Sequence, residues 1–518
     1  MVGMHKKFVK NFFFIFLLNI LIKPFWIFGI DRTVQNVVGA TEFGIYSSLL
    51  SFSFLLNIIL DVGITNFKNR NISQHSHLLK KHFSGIILIR VVLVISYFII
   101  SLIAGWMLGY SARQLSLLIV LLLNQSLAAF ILYLRSNISG LQLFKTESII
   151  SVLDRLLMII FCAVLLWGNL FDNIINIQWF VGAQTLAYVI TAMITFIIVA
   201  KKAKFQRLIW DGKFFLIILK QSYPYAILIL LMAFYYRIDA VMIERLLANG
   251  AEQAGIYAQA FRLLDAGNMF AYLVSVLLLP MFSSMVKNKQ SLEELVDLAF
   301  SFVATPAIVI MGFSVYFSEE LMELLYHTHI QESAAVFRVV MNCFLAISSV
   351  YIFGTLLTAN GNLRYLNYIA LTGMILNITL NYYLIPRYEA KGAAISAVIS
   401  QYITAGAQML LAHFLFKFRF RWWLFSRYAI FTALTFLIFS SIHEFGRHWI
   451  ISCVLGSICC LLIAFSLFLI KPRSIFALLS APKTLIRPLD KGFTHSCKRI
   501  ISTIKYIGKS VIFGSPVL

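Results

Sequence analysis

Long apolar runs alternate with short polar interruptions along almost the whole chain. A hydrocarbon core of roughly 30 Å needs about 20 apolar residues per helix. By that measure the pattern predicts fourteen transmembrane helices, at 11–30, 44–65, 83–108, 115–134, 148–168, 177–200, 222–247, 255–283, 298–317, 333–358, 365–385, 392–416, 428–443 and 449–470. No connection between them is long. The largest polar piece is the tail after Lys471, where Ile500, Ile504, Ile507 and Val511 recur at helical spacing beside Lys498, Lys505 and Lys509. That spacing predicts an amphipathic helix lying on anionic membrane lipids, with a solvated basic tail as the plainer alternative.

Composition makes the class firm. Hydrophobic residues are 60% of the chain and charged residues 12%, against roughly 45–50% and 25% in ordinary globular domains. A string of soluble domains is excluded, leaving an all-α polytopic membrane protein. A net charge of +22 on a soluble chain would suggest nucleic acid; here it reports orientation, and no nucleic-acid partner is expected. With odd-numbered loops taken as external, 30 Lys and Arg fall in internal segments and five (Arg32, Arg113, Arg387, Lys391 and Arg447) in external ones. The positive-inside rule then puts both termini in the cytoplasm. Trp106, Trp167, Trp179 and Trp449 fall at outer interfaces and Trp210, Trp422 and Trp423 at inner ones, as aromatic belts do. The N-terminus has basic Lys6, Lys7 and Lys10 before an apolar run, but Lys23-Pro24 interrupts it and no small-residue cleavage site follows. It reads as an uncleaved first span. Six cysteines show no ligand-like spacing, and five lie in apolar segments as small core residues. No metal or other cofactor is expected.

An internal repeat organises the spans. Ala40-Thr41-Glu42-Phe43-Gly44-Ile45-Tyr46 and Ala251-Glu252-Gln253-Ala254-Gly255-Ile256-Tyr257 share Gly-Ile-Tyr at an offset of 211, and Gly182-Ala183 and Gly392-Ala393 match at 210. Six spans per repeat is an even number, so both halves insert with one topology. They are expected as two six-helix lobes related by a pseudo-two-fold along the membrane normal, with a cavity between them. The domains follow: 1–213 and 214–416 as the two lobes, 417–470 as two additional helices, and 471–518 as the basic tail. Two bundles rocking about a central site describes a transporter.

An ionisable residue near the bilayer centre costs roughly 2.5–3.5 kcal/mol or more, so each asks for a reason. Arg90 and Arg155 lie near cytoplasmic ends, where snorkelling accounts for them as well as a cavity does. Lys23 lies mid-span beside the helix-distorting Pro24. Arg237 and Asp239 lie within one span, about 200° apart, and so point to different sides. Arg262 has Asp265 at i+3, which leaves a structural ion pair open. Lys23, Arg90, Arg155, Lys220, Arg237 and Arg262 outnumber Asp61, Asp154, Asp239 and Asp265. Surplus positive charge suits an anionic cargo, which guanidinium groups bind bidentately and ammonium groups as point charges. Asp239 and Asp61 are the candidates for coupling to an ion.

Several ordered motifs resemble the polysaccharide-repeat (O-antigen type) flippases. They are Gly39 through Tyr46, Asp61-Val62-Gly63-Ile64, Tyr235-Tyr236-Arg237-Ile238-Asp239, Gly255-Ile256-Tyr257-Ala258 with Pro280, and Asn377 through Pro386 continuing to Lys391-Gly392-Ala393-Ala394. One departure is Glu389-Ala390-Lys391, where members of that family commonly have glycine. The resemblance spans about residues 10–470. It implies a V of two six-helix lobes opening alternately to each side of a bacterial inner membrane. The implied cargo is an undecaprenyl-pyrophosphate-linked oligosaccharide, moved outward for surface polysaccharides such as the O-antigen of lipopolysaccharide. Polysaccharide polymerase machinery is the implied partner. Lys23, Arg237 and Arg262, with Arg90 and Arg155, are the positions that fit pyrophosphate binding. A lipid II-type flippase and a cation-coupled multidrug exporter share the fold and stay as alternatives. An enzyme is not expected: no loop is large enough for a catalytic domain, and there is no Gly-rich phosphate loop with its Lys-Ser/Thr.

Overall fold

A computed structural model describes residues 22, 24–62, 77–141, 143–168, 176–203, 212–418, 422–444 and 448–469. Lys23 and the amphipathic stretch 498–511 lie outside the described residues. Every regular element among the described residues is helical. Eleven helices are long and apolar enough to cross a membrane, so this is a multi-pass membrane protein. The backbone reason is general: in hydrocarbon, each N–H and C=O must be satisfied within its own segment.

Contacts divide the chain into two compact units, the first ending at Ala258 and the second starting at Gln259. The first unit begins with a π-helical stretch, Phe25–Asp31, directly after Pro24. Proline removes an N–H from the helical ladder and so favours such an irregular turn. Then come α1 (Arg32–Leu55), a 3-10 turn at Asn57–Leu60, α2 (His77–Met107), α3 (Ala112–Gly140), α4 (Phe144–Trp167), α5 (Ile177–Ala203) and α6 (Gly212–Leu246). Helix α7 (Gly250–Lys287) starts in the first unit and continues into the second. Helix α1 packs on α3 and α6, and α5 on α3 and α4. Their apolar sides form a core that includes Phe43, Tyr46, Leu118, Leu121 and Phe180.

The second unit continues with α8 (Glu293–Tyr316), short α9 (Ser318–Leu325), α10 (Ile330–Val340), α11 (Cys343–Ala359), α12 (Leu363–Phe416), α13 (Trp422–Glu444) and α14 (Trp449–Ser466). Phe439 of α13 fills the space left by Gly312 of α8 and Gly456 of α14, which ties the last two helices to α8.

Two helices contain breaks. Gly39 in α1 has φ 83° and ψ 167°, a conformation glycine adopts without the Cβ clash. Glu389 in α12 has φ 53° and ψ −137°. An unbroken α12 of 54 residues would be about 80 Å long, far more than one hydrocarbon core. The two limbs on either side of Glu389 are joined by uncharged polar side chains. Asn377 Nδ2 donates across the break to Ser400 Oγ at 3.4 Å, while Asn381 Nδ2, on the same limb as Asn377, donates to Asn377 Oδ1 at 3.2 Å. Interhelical bonds of this kind hold helices together where lipid gives no hydrophobic drive.

The break at Gly39 corrects one expectation. Arg32 was placed in an external loop, after a first span ending at residue 30. Instead the helix runs through it, with Asp31 buried and Arg32 half-buried in the first turn of α1. Glycine geometry, not the charge, ends the segment. Arg135, assigned to an internal loop, is likewise inside α3 and almost wholly buried.

Candidate functional site

The ionisable residues of the first unit sort by their neighbours. Arg90 of α2 is a structural hub. Its Nη2 lies 2.5 Å from Asp61 Oδ1, and its Nη1 donates to the Leu60 and Ala129 carbonyls at 3.4 Å each. Its guanidinium also lies over the Tyr133 ring at 4.3 Å. Arg90 and Asp61, named above for separate roles, are therefore each other's partners. Arg135 of α3 donates to Glu147 of α4 at 2.7 Å, with both side chains almost fully buried. Burying one charge alone would be prohibitive; as a pair with further hydrogen bonds it is tolerated.

Arg155 and Arg237 are surrounded differently. Arg155 lies 5.6 Å from the Trp26 ring centroid, beside the π-helical turn, and Nη1 is 3.6 Å from Met158 sulfur. Arg237 of α6 lies over Phe54 of α1 at 5.5 Å and Tyr236 at 5.3 Å. Contacts of this length are cation–π interactions. Each places a guanidinium over an aromatic ring, and the N–H fork of a guanidinium matches phosphate oxygens. Asp239 is buried and accepts from the Tyr257 hydroxyl at 2.9 Å. Arg237 thus points to α1 and Asp239 to α7, as their spacing on the helix requires. Arg262 and Asp265 lie half-buried on α7, in the second unit.

At one end of the first unit a polar network closes the helix junctions. Glu244 and Arg245 of α6 pair with each other. Gln114 donates to Glu244 at 2.7 Å, and Arg245 reaches the Leu108 and Gly109 carbonyls at 3.3 and 3.2 Å. Burial, reinforced by the Glu244 carboxylate, pushes the Tyr110 hydroxyl well above its ordinary pKa. Arg113 Nη2 bridges both Glu42 oxygens at 2.9 and 2.8 Å.

Beside this network the two copies of the repeat meet. A Cβ on Gly44 would overlap the Ala251 carbonyl, and one on Gly255 would overlap the Ala40 carbonyl. Ala40 and Gly44 of α1 correspond to Ala251 and Gly255 of α7 at the offset of 211. The contact is therefore reciprocal: each glycine receives the other copy's alanine backbone. Small residues four apart are what close membrane-helix crossings use. Gln35 Nε2 adds a buried hydrogen bond to the Gly255 carbonyl at 3.0 Å.

The sequence model of the family described as "Polysaccharide biosynthesis protein" matches residues 8–286, more than half of the chain. The chain belongs to this family. The match covers the π-helical turn, the reciprocal crossing, Arg155 and Arg237. No individually curated protein matches the sequence. Among solved structures, "Lipid II flippase MurJ, inward closed conformation" superposes with a TM-score of 0.68 at 15% identity, covering 91% of this chain and 100% of that one. An inward-facing multidrug resistance MATE family transporter of the MOP superfamily gives 0.55 at 13% identity, covering 77% and 94%. A MOP superfamily transporter from Pyrococcus furiosus gives 0.51 at 13% identity, covering 80% and 96%. At such identities these likenesses establish the fold, which is that of the MurJ and MATE transporters. The resemblance to polysaccharide exporters drawn from the motifs thus agrees with both comparisons.

Asp31, Arg32 and the Arg135–Glu147 pair were not singled out from sequence. The repeat carries the signal that would have found the first two. Gly39 corresponds to Gly250 at the same offset, and Gly250 opens α7, so the junction belongs at Gly39 and Arg32 inside a span.

Proposed function

We propose that this family member is a flippase that moves an undecaprenyl-pyrophosphate-linked oligosaccharide from the cytoplasmic to the outer leaflet of a bacterial inner membrane. It would do so by alternating access of two six-helix lobes, with two further helices making fourteen spans. The observation that carries the reading is the meeting, in one chain, of the polysaccharide family match and the flippase fold. The breaks at Gly39 and Glu389 support the span count by dividing α1 and α12. Arg237, held by aromatic faces, is the leading pyrophosphate ligand, with Lys23, Arg155 and Arg262 contributing. Arg90 serves the structure through Asp61, which leaves Asp239 as the ion-coupling candidate.

No ATP is required. A pyrophosphate with about two negative charges gains roughly 4–5 kcal/mol moving outward across 100 mV, inside negative. The protein lowers the desolvation barrier, and the lipid tail stays in the bilayer.

The test is gene deletion followed by mass spectrometry of lipid-linked glycans. Loss of surface polysaccharide while complete polyprenyl-pyrophosphate repeat units accumulate inside supports the reading. Accumulated lipid II instead would favour the cargo named for the MurJ structure. Unchanged glycans with altered sensitivity to cationic drugs would favour the exporter function named for MATE.

A further inference from the structure

A cavity of about 260 Å³ opens beside the Glu42–Arg113 pair in the first unit. It lies where α3 and α5 begin and where α1 resumes after Gly39, the end that the basic-residue count assigns to the outside. Its polar wall is Glu42, Ser111, Arg113, Gln178 and Gln114, the last already bonded to Glu244, and its apolar side is Ile45, Leu117 and Ile177. Trp179, next to Gln178, is exposed.

This lining has a particular chemistry. Glu42 and Arg113 neutralise each other, so neither an anion nor a cation is preferred, yet together they offer acceptors and donors. Gln178 adds both in one amide, and Ser111 adds a hydroxyl. The aliphatic side gives a surface for C–H groups. A pyranose ring is the ligand class with that division: hydroxyls around its edge and C–H groups on its faces. The volume falls just under the roughly 300 Å³ lower bound of drug-sized pockets, which suits one ring and not a chain.

We propose that this cavity is a binding subsite for one uncharged sugar ring, a hexose or N-acetylhexosamine, on the outer face of the first unit. The proposal rests on the flippase reading for its side and for the source of the sugar, the glycan of the cargo. Neither Arg237 nor Arg155 lines it, so it would hold the head of the cargo and not its pyrophosphate.

The test uses the full chain in lipid nanodiscs, with all glycoside detergent removed because such detergents carry the probe themselves. Methyl glucopyranoside and methyl N-acetylglucosaminide are titrated and followed by saturation-transfer NMR. Saturable binding in the millimolar range is expected, weakened about tenfold, the equivalent of one good hydrogen-bonding group, by Gln178→Ala and by Arg113→Ala. Both side chains are exposed, so both variants keep the fold, which circular dichroism checks. Arg364→Ala, an exposed change on the second unit, should leave sugar binding unchanged. Absence of saturable binding in the wild type, or wild-type affinity in both cavity variants, overturns the proposal. The flippase reading is judged separately by the deletion strain. Accumulated lipid-linked units with no sugar binding would remove the subsite alone. Sugar binding with unchanged cellular glycans would remove the flippase alone.

Discussion

The reciprocal crossing of α1 and α7 makes the most exposed prediction. In Gly255→Ala the new Cβ would sit 2.7 Å from the Ala40 carbonyl carbon and 3.0 Å from its Cα. Comfortable carbon–carbon separations start at about 3.5 Å, so the helices must part by about 1 Å, and further to clear the carbonyl oxygen. The obstructing atoms are backbone, so no rotamer change relieves the clash. Overpacking costs about 1–3 kcal/mol, and the buried Gln35 bond to the Gly255 carbonyl puts about 1 kcal/mol more at risk. Gly44→Ala faces the Ala251 carbonyl and the Gly255 nitrogen, the latter at 2.6 Å, and should cost a similar amount. Each variant should therefore lose about 2–4 kcal/mol, read as a lower thermal midpoint of the purified protein in nanodiscs. The decisive reading is the double variant. Once one alanine has pushed the helices apart, the second finds room, so the pair should cost clearly less than the sum of the singles. Strict additivity, or wild-type stability in either single variant, would refute the crossing.

Other expectations follow from single features. Glu389→Gly should stabilise by about 1 kcal/mol: relief of a strained positive-φ conformation is worth about 1–3 kcal/mol, less the extra freedom glycine gives the unfolded chain. Thermal melting would show it, and a lower midpoint would argue against the strain. Arg90→Ala should cost about 3 kcal/mol, the low end for breaking a buried pair because Asp61 is partly exposed, whereas Arg90→Met with Asp61→Leu should recover most of that loss. A double variant no more stable than Arg90→Ala would contradict it. Arg237→Ala should abolish accumulation-free growth of surface polysaccharide while the protein stays folded in the membrane, and Arg237→Lys should restore part of it, since lysine keeps charge without the fork. Full activity in Arg237→Ala would remove this residue from the pyrophosphate-binding role proposed for it.

Much of the architecture could be read from the chain because the bilayer imposes it. Apolar runs of fixed length and the Gly-Ile-Tyr repeat both report constraints that act along the sequence. The repeat even named the residues of the crossing, although nothing in it showed that the two copies touch. What escaped was pairing across the sequence. Asp61 and Arg90 could be ranked as intramembrane charges, but a bond between residues 29 apart on different elements is a tertiary fact. Arg135 looked like a loop residue because a charge normally marks the end of a span, and only Glu147 beside it makes burial tolerable. The π-helical turn after Pro24 was legible as a distortion but not in its form. The polar run 31–43 marked a junction around Gly39, but hydropathy does not show that helix continues through Asp31 and Arg32 and breaks at the glycine.

The separation between the two glycines also has a consequence for how the chain is made. Asn377 and Ser400 are 23 residues apart, so the limbs of α12 can join as soon as the second has been synthesised. Gly44 and Gly255 are separated by 211 residues. At about 5–20 residues per second, the Ala40–Gly44 face waits roughly 10–40 s for its partner to emerge from the ribosome. During that interval lipid, and any small-residue helix already in the bilayer, competes for a groove shaped to accept a backbone. The crossing is therefore among the last contacts available to the nascent first unit, and the one most dependent on translation speed.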